Sequence, residues 1–127
     1  HNFDIFYFTY FVTASLSDYV GTGSSGVTDG ASALFTKLTS IAKNYLNDLY
    51  VTDQHGTASS GRVRKIDMDT KLVSTVATGI NNPTGISVDA NNNIYFVAQG
   101  THKIYHMSST SGVVTVYSGT GSSGSVN

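Results

Sequence analysis

The sequence predicts an all-β chain assembled from repeated four-stranded antiparallel sheets, and three observations carry that prediction. Short runs rich in Val, Ile, Tyr, Phe and Thr alternate with clusters of Gly, Asn, Asp and Ser, which is how strands and their turns read. Four such runs fall within about 33 residues near the C-terminus, and the same order of four can be laid over the segment before it. Leu49-Tyr50-Val51 also aligns with Ile94-Tyr95-Phe96 at a spacing of 45 residues. A period near 45 with four strands per unit is that of propeller blades, each of which must stack on another to bury its faces.

In chain order, residues 1–16 hold an aromatic strand. Phe3, Ile5, Tyr7 and Phe11 fall on one face of it and Phe6, Phe8, Tyr10 and Val12 on the other, so it wants cover on both sides. Residues 17–33 form an outer strand and a Gly/Ser-rich connection. The first blade is expected over 34–79, with strands at 38–42, 48–52, 62–66 and 72–77. Leu34, Leu38, Ile41 and Leu46 stand near helical spacing, but the repeat demands a loop and a strand there. The second blade and a Gly/Ser-rich tail take 80–127, with strands at 86–88, 93–97, 103–107 and 113–117. The run Tyr19-Val20-Gly21-Thr22-Gly23-Ser24-Ser25-Gly26 returns as Tyr117-Ser118-Gly119-Thr120-Gly121-Ser122-Ser123-Gly124 at a distance of 98. That is two repeats and one insertion, which the loop 54–61 accommodates, being longer than its counterpart 99–101.

The segment Asn82-Pro83-Thr84-Gly85-Ile86-Ser87-Val88-Asp89, then Asn93-Ile94-Tyr95-Phe96-Val97, then Thr101-His102-Lys103-Ile104, resembles the blades of the NHL-repeat family of β-propellers. Asp48 to Asp53 and Arg62 to Asp67 fit the same pattern, while Lys43-Asn44-Tyr45 replaces the family's Val-Asp turn. The resemblance covers about 110 residues and implies structural roles for Pro83, Gly85, Asp89, His102 and Ile104. Gly85 is expected to let the inner strand approach its neighbours without a Cβ. Asp89 to Asn93 are expected to supply a turn that tolerates positive φ. The family motif implies that the His102 ring packs and hydrogen-bonds between blades. A propeller fold hosts many functions, so the resemblance names no activity.

Two blades and a leftover piece do not close a ring of roughly four to eight. The expected architecture is an incomplete ring of about two to two and a half blades, whose apolar faces need another polypeptide.

Seven basic against eight acidic side chains leave no surplus for a polyanion, so nucleic acid is not an expected partner. The apolar stretch 5–12 is far short of the roughly 18 to 20 residues of a membrane span. Charged residues are 12% of the chain, against about 25% in an average domain, and 33 Ser and Thr carry much of the polar surface. That composition leans toward an extracellular or secreted setting.

No residue set points to catalysis. His102 and His106 share a strand face at chelating spacing but have no carboxylate beside them, and the chain contains no Glu. Asp67-Met68-Asp69 and Asp89 to Asn93 lack the glutamate of a calcium loop and read as turns. Gly21 to Gly26 lacks the Lys-Ser or Lys-Thr of a phosphate loop. No metal or cofactor is expected. Asn82-Pro83-Thr84 is barred from N-glycosylation by its proline, which leaves Thr57, Ser59, Ser60, Ser108, Ser109 and Thr110 as candidate O-glycan acceptors.

The expected function is that of a non-enzymatic structural or interaction protein. It associates with copies of itself through strand edges and the aromatic strand 3–12, by strand addition, into an extracellular fibre or oligomer. The alternatives are a piece of a larger NHL-type propeller enzyme, a metal-dependent lyase or lactonase-like protein, or of a glycan- or peptide-binding propeller.

Overall fold

The structure, a computed structural model, describes residues 16–125. Eight strands form two four-stranded antiparallel sheets. Blade 1 contains β1 (Leu38–Lys43), β2 (Asp48–Asp53), β3 (Gly61–Asp67) and β4 (Val73–Ile80). Blade 2 contains β5 (Pro83–Val88), β6 (Ile94–Ala98), β7 (Lys103–Met107) and β8 (Val114–Ser118). Each sheet is a simple meander, and a single 3₁₀ turn, Gln99–Thr101, links β6 to β7. The architecture is that of two consecutive propeller blades in a ring that does not close. Leu38 and Ile41, two of the residues with near-helical spacing, lie in β1, whereas the outer strand expected within 17–33 is not formed: this segment crosses blade 1 as a connector and makes only the isolated bridges Ser25–Phe35 and Gly30–Val73.

The repeat is visible in the register. Asp53 pairs with Arg62 and Ala98 with Lys103, so the β2–β3 loop holds four residues more than the β6–β7 loop. A second and larger insertion corrects the expectation of a single one. From Tyr19 to Leu38 the connector into blade 1 is twelve residues longer than the stretch from Val76 to Pro83. The recurring Gly-rich run keeps its backbone shape: Gly21 and Gly23 have φ of 101° and 88°, Gly119 and Gly121 of 106° and 90°.

The turns into β2 and β6 show how different residues solve one problem. Asp89 Oδ1 accepts the N–H groups of Asn91 and Asn93, each at 2.9 Å, and Asn93 Nδ2 donates back to Asp89 Oδ2 at 3.2 Å. In blade 1, Asn44 Oδ1 accepts from Leu46 and Asp48, each at 2.9 Å, and Asn44 Nδ2 donates to Asp48 Oδ2 at 3.1 Å. The carboxylate and the amide have exchanged ends. Asn47 and Asn92 take the left-handed position at φ of 66° and 64°, which Asn tolerates better than most residues. Asn44 therefore does the work of the missing Asp in the divergent first blade.

Asp89 also accepts the Tyr95 hydroxyl at 3.3 Å. Desolvation works against the Asp89 carboxylate, but hydrogen bonds from Asn93, Asn91 and Tyr95 outweigh it and hold its pKa below the ordinary 3.8. A folded pKa below the unfolded one means that the ionised carboxylate stabilises blade 2 above about pH 4, and that this support is lost as pH falls through the folded value. Asp89→Asn keeps the acceptor, as Asn44 does, and removes the titration. The melting temperature of the variant is expected to fall less steeply than that of the parent between about pH 5 and pH 2.5. Parallel curves contradict the assignment.

The main core lies between the blades. Tyr50, Val63 and Ile80 meet Ile94, Phe96, Ala98 and Met107, with Phe96 stacked on Tyr105 at 5.4 Å between centroids. Inner strands β1 and β5 lie next to each other, pinned at one end by Thr39 Oγ1 and Gln54 Nε2 donating to Pro83 O at 2.9 and 3.1 Å. At the other end Tyr45 N donates to Asn92 Oδ1 at 2.7 Å.

The close approach expected at Gly85 is found elsewhere. A Cβ on Gly85 meets only Val97 Cγ2 at 3.8 Å, an ordinary contact, whereas one on Gly61 would overlap Pro83 Cδ and Ile80 O. Gly61 is what lets β3 pass the start of blade 2. Gly61→Ala is expected to lower stability by about 1–3 kcal/mol, the cost of overpacking, with Gly85→Ala near neutral. Urea midpoints of the two variants measure the contrast.

Candidate interaction surface

A blade has a leading face, toward the preceding unit, and a trailing face, toward the next. On blade 1 the trailing face carries Tyr50, Thr52, Val63 and Val76. Burial against blade 2 leaves Tyr50 8% and Val63 0% exposed. Burial also pushes the Tyr50 hydroxyl pKa up, so the group sits in the interface as a neutral phenol.

Register places Tyr95, Val97, Ile104 and Tyr117 at the corresponding positions of blade 2. No sheet covers them among the described residues. Val97 is 40% exposed, Ile104 38% and Tyr117 65%. Tyr95 sits at the centre of an aromatic group, edge-on to His106 and to Tyr117, each at 5.1 Å between centroids. Burial, and then the Asp89 charge, raise its hydroxyl pKa. Strand β8 bounds this surface. All five of its residues are exposed, and it offers uncharged, β-prone side chains beside an open strand edge.

The leading face of blade 1 is closed by the chain itself. The connector lays Ala33, Val20 and Phe35 over Val51, Ile66 and Val73. Arg64, fully buried, fastens it. Its Nη1 donates to Leu34 O at 3.0 Å and to Asp53 Oδ2 at 3.2 Å, and its Nη2 to Thr28 O and to Asp29 Oδ1, both at 2.9 Å. The guanidinium also lies 4.9 Å from the Phe35 ring centroid. Asp53, itself fully buried, turns its carboxylate to Thr36 N and Lys37 N at 3.0 and 2.8 Å. In blade 2 the equivalent places hold Tyr105 and Ala98. Blade 1 has thus exchanged an apolar pair for an ion pair where the longer connector must be held. Arg64 is a functional residue that the repeat pattern alone does not single out. The available signal was alternation, which puts Arg64 on the same face as the buried Ile66.

The other predicted residues fall as follows. The aromatic strand Phe3, Ile5, Phe6, Tyr7, Phe8, Tyr10, Phe11 and Val12 lies outside the described residues. Pro83 is buried at the start of β5, where its missing N–H costs no ladder bond. His102 departs from its expected packing between blades. It is exposed, and it ends the 3₁₀ turn in the left-handed conformation at φ 56°, with its N–H donating to Gln99 O at 3.3 Å. It therefore does not share a strand face with His106, which lies in β7. Among the described residues no three His, Cys, Asp or Glu side chains cluster as a metal site.

Most of the candidate glycan acceptors hold turns: Ser60 Oγ donates to Thr57 O at 2.6 Å, Thr57 Oγ1 to Ser60 Oγ at 3.3 Å and Ser109 Oγ to Asn91 O at 3.0 Å, while Ser108 Oγ accepts from Thr110 N at 3.3 Å and lies 3.1 Å from Thr110 Oγ1. Thr57, Ser59, Ser109 and Thr110 are exposed. No helix of the described residues is long and apolar enough to cross a membrane.

No family model matches the chain, and no curated protein matches it. Among solved structures it is similar to a structural genomics protein of unknown function from Bacteroides thetaiotaomicron VPI-5482. The TM-score is 0.65 and the identity 28%, over 79% of this chain and 25% of that one. The chain thus spans about a quarter of the length of that protein.

Proposed function

We propose that the chain is a non-enzymatic interaction module of NHL-like blades that associates with a second copy of itself through the trailing face of blade 2. One observation carries this. Blade 2 presents, at the positions that correspond to the face blade 1 buries, a face that no described residue covers, with Val97, Ile104 and Tyr117 exposed. The connector already occupies the leading face of blade 1, so a trailing face finds its best apolar match in another trailing face. Such a contact is self-complementary and closes as a pair. The aromatic strand 3–12 extends the pair toward a fibre if it adds to the open edge of β8. An extracellular setting accords with the low charge and the hydroxyl-rich surface.

A second reading is favoured by the length relation to the solved protein. In it the two blades are part of one closed propeller in a longer polypeptide, and the uncovered face receives that polypeptide's next blade. Sedimentation velocity of the 127-residue chain over a dilution series tests the first. A reversible pair or larger species is expected. A compact monomer at all concentrations contradicts it.

A further inference from the structure

A second feature owes nothing to self-association. At the end of the sheets that carries the β2–β3 and β6–β7 loops, a cleft of about 270 Å³ opens between the blades. One wall is the longer β2–β3 loop, whose extra residues are set by left-handed Gly56 and Ser59 at φ of 57° and 67° and locked by the Ser60–Thr57 hydrogen bonds. The other wall and the floor include Asn81, Asn82 and Gly100. The missing Cβ of Gly100 leaves room for the Asn81 amide, which lies against its backbone. Insertions in one unit of a repeat fold map to loops on one face, often the binding face.

The hydrogen-bond arrangement fixes what the cleft offers. Thr36 Oγ1 lies 3.1 Å from Gly26 O and 2.9 Å from His55 Nδ1, so the Nδ1 side of the ring is engaged within the protein. His55 Nε2 makes no hydrogen bond among the described residues and is left for a ligand. Gln54 Nε2 is engaged by Pro83 O at 3.1 Å and Asn82 Nδ2 by Gln99 Oε1 at 3.0 Å. Each of these two amides keeps a second N–H and its oxygen for a ligand. The Asn81 side chain makes no hydrogen bond among the described residues, so its amide can both give and accept. The lining has no Lys, Arg, Asp or Glu to hold or repel an ion.

We propose that this cleft binds one unit of a neutral polyhydroxylated ligand, a sugar ring, whose hydroxyls both give and accept hydrogen bonds at His55 Nε2 and at the free amide positions of Gln54, Asn82 and Asn81. An anionic ligand would find no Lys or Arg in the lining, and an apolar one would leave these donors and acceptors unpaired.

Saturation-transfer NMR on the whole chain tests this, with the methyl glycosides of glucose, mannose and galactose in one arm and the free hexoses in the other. Transfer to at least one pyranose is expected, reduced about fivefold or more by Asn81→Ala, as expected for losing one hydrogen bond in a polar site. That variant keeps the segment's backbone bonds, and His55→Phe provides a second, independent reduction. Binding of the methyl glycosides points to a glycan chain end, and binding of the free hexoses alone to a free sugar; both support the site. No transfer from any sugar, or transfer indifferent to both variants, overturns it.

Discussion

Replacing Arg64 with alanine is expected to destabilise the protein by about 3–5 kcal/mol, the usual effect of removing one member of a buried ion pair. Asp53 is left with no cation, fully buried, and the carbonyl oxygens of Leu34 and Thr28 each lose the Arg64 donor, Thr28 O keeping only Leu34 N at 2.9 Å. The connector loses its fastening over Val51, Ile66 and Val73, so dye binding to exposed apolar surface is expected to rise with the fall in the urea midpoint. The double variant Arg64→Tyr with Asp53→Ala copies the pair that blade 2 uses. It removes the stranded charge and is expected to recover part of the loss, though the N–H groups of Thr36 and Lys37 go without an acceptor. A loss under about 1 kcal/mol for Arg64→Ala contradicts the assigned role, since that is the scale of an exposed pair.

Ile104→Asp has the largest expected effect on association. In the single chain Ile104 is 38% exposed, so the carboxylate can stay hydrated and the fold is retained. Once the face is covered, the same carboxylate is buried without a partner. A cost of about 3 kcal/mol or more follows, at least a hundredfold in the dissociation constant. Leu72→Asp, in the β3–β4 turn at 48% exposure, serves as the control and is expected to leave association unchanged. Sedimentation of the three proteins reads the difference, and equal dissociation constants contradict the assignment of the face.

The strands were legible because their signal is local. Alternating Val, Ile, Tyr and Thr between Asn-, Asp- and Gly-rich turns placed all eight within a few residues of their observed ends, and the 45-residue spacing of Tyr50 and Tyr95 held through the register. What escaped was set by contacts between segments. Gly61 looks like a loop residue, and only the proximity of Pro83 and Ile80 shows why a side chain is excluded there. Arg64 looks solvent-facing until the connector folds over it. The connector's length was hidden because the 98-residue recurrence of the Gly-rich run sums two insertions into one number. His102 looked like a packing residue from its motif, while its requirement is a backbone conformation that closes a short turn.

The face of blade 2 can be read directly, because the chain contains no cysteine and a single one at position 117 is therefore unique. Tyr117→Cys, labelled with an environment-sensitive fluorophore, reports on the centre of the exposed surface. Blue-shifted emission shielded from a soluble quencher at high concentration, lost on dilution and lost in the Ile104→Asp background, is the outcome for a face covered by a second copy. Red-shifted, freely quenched emission at every concentration would mean that the face stays bare and that the two blades stand alone.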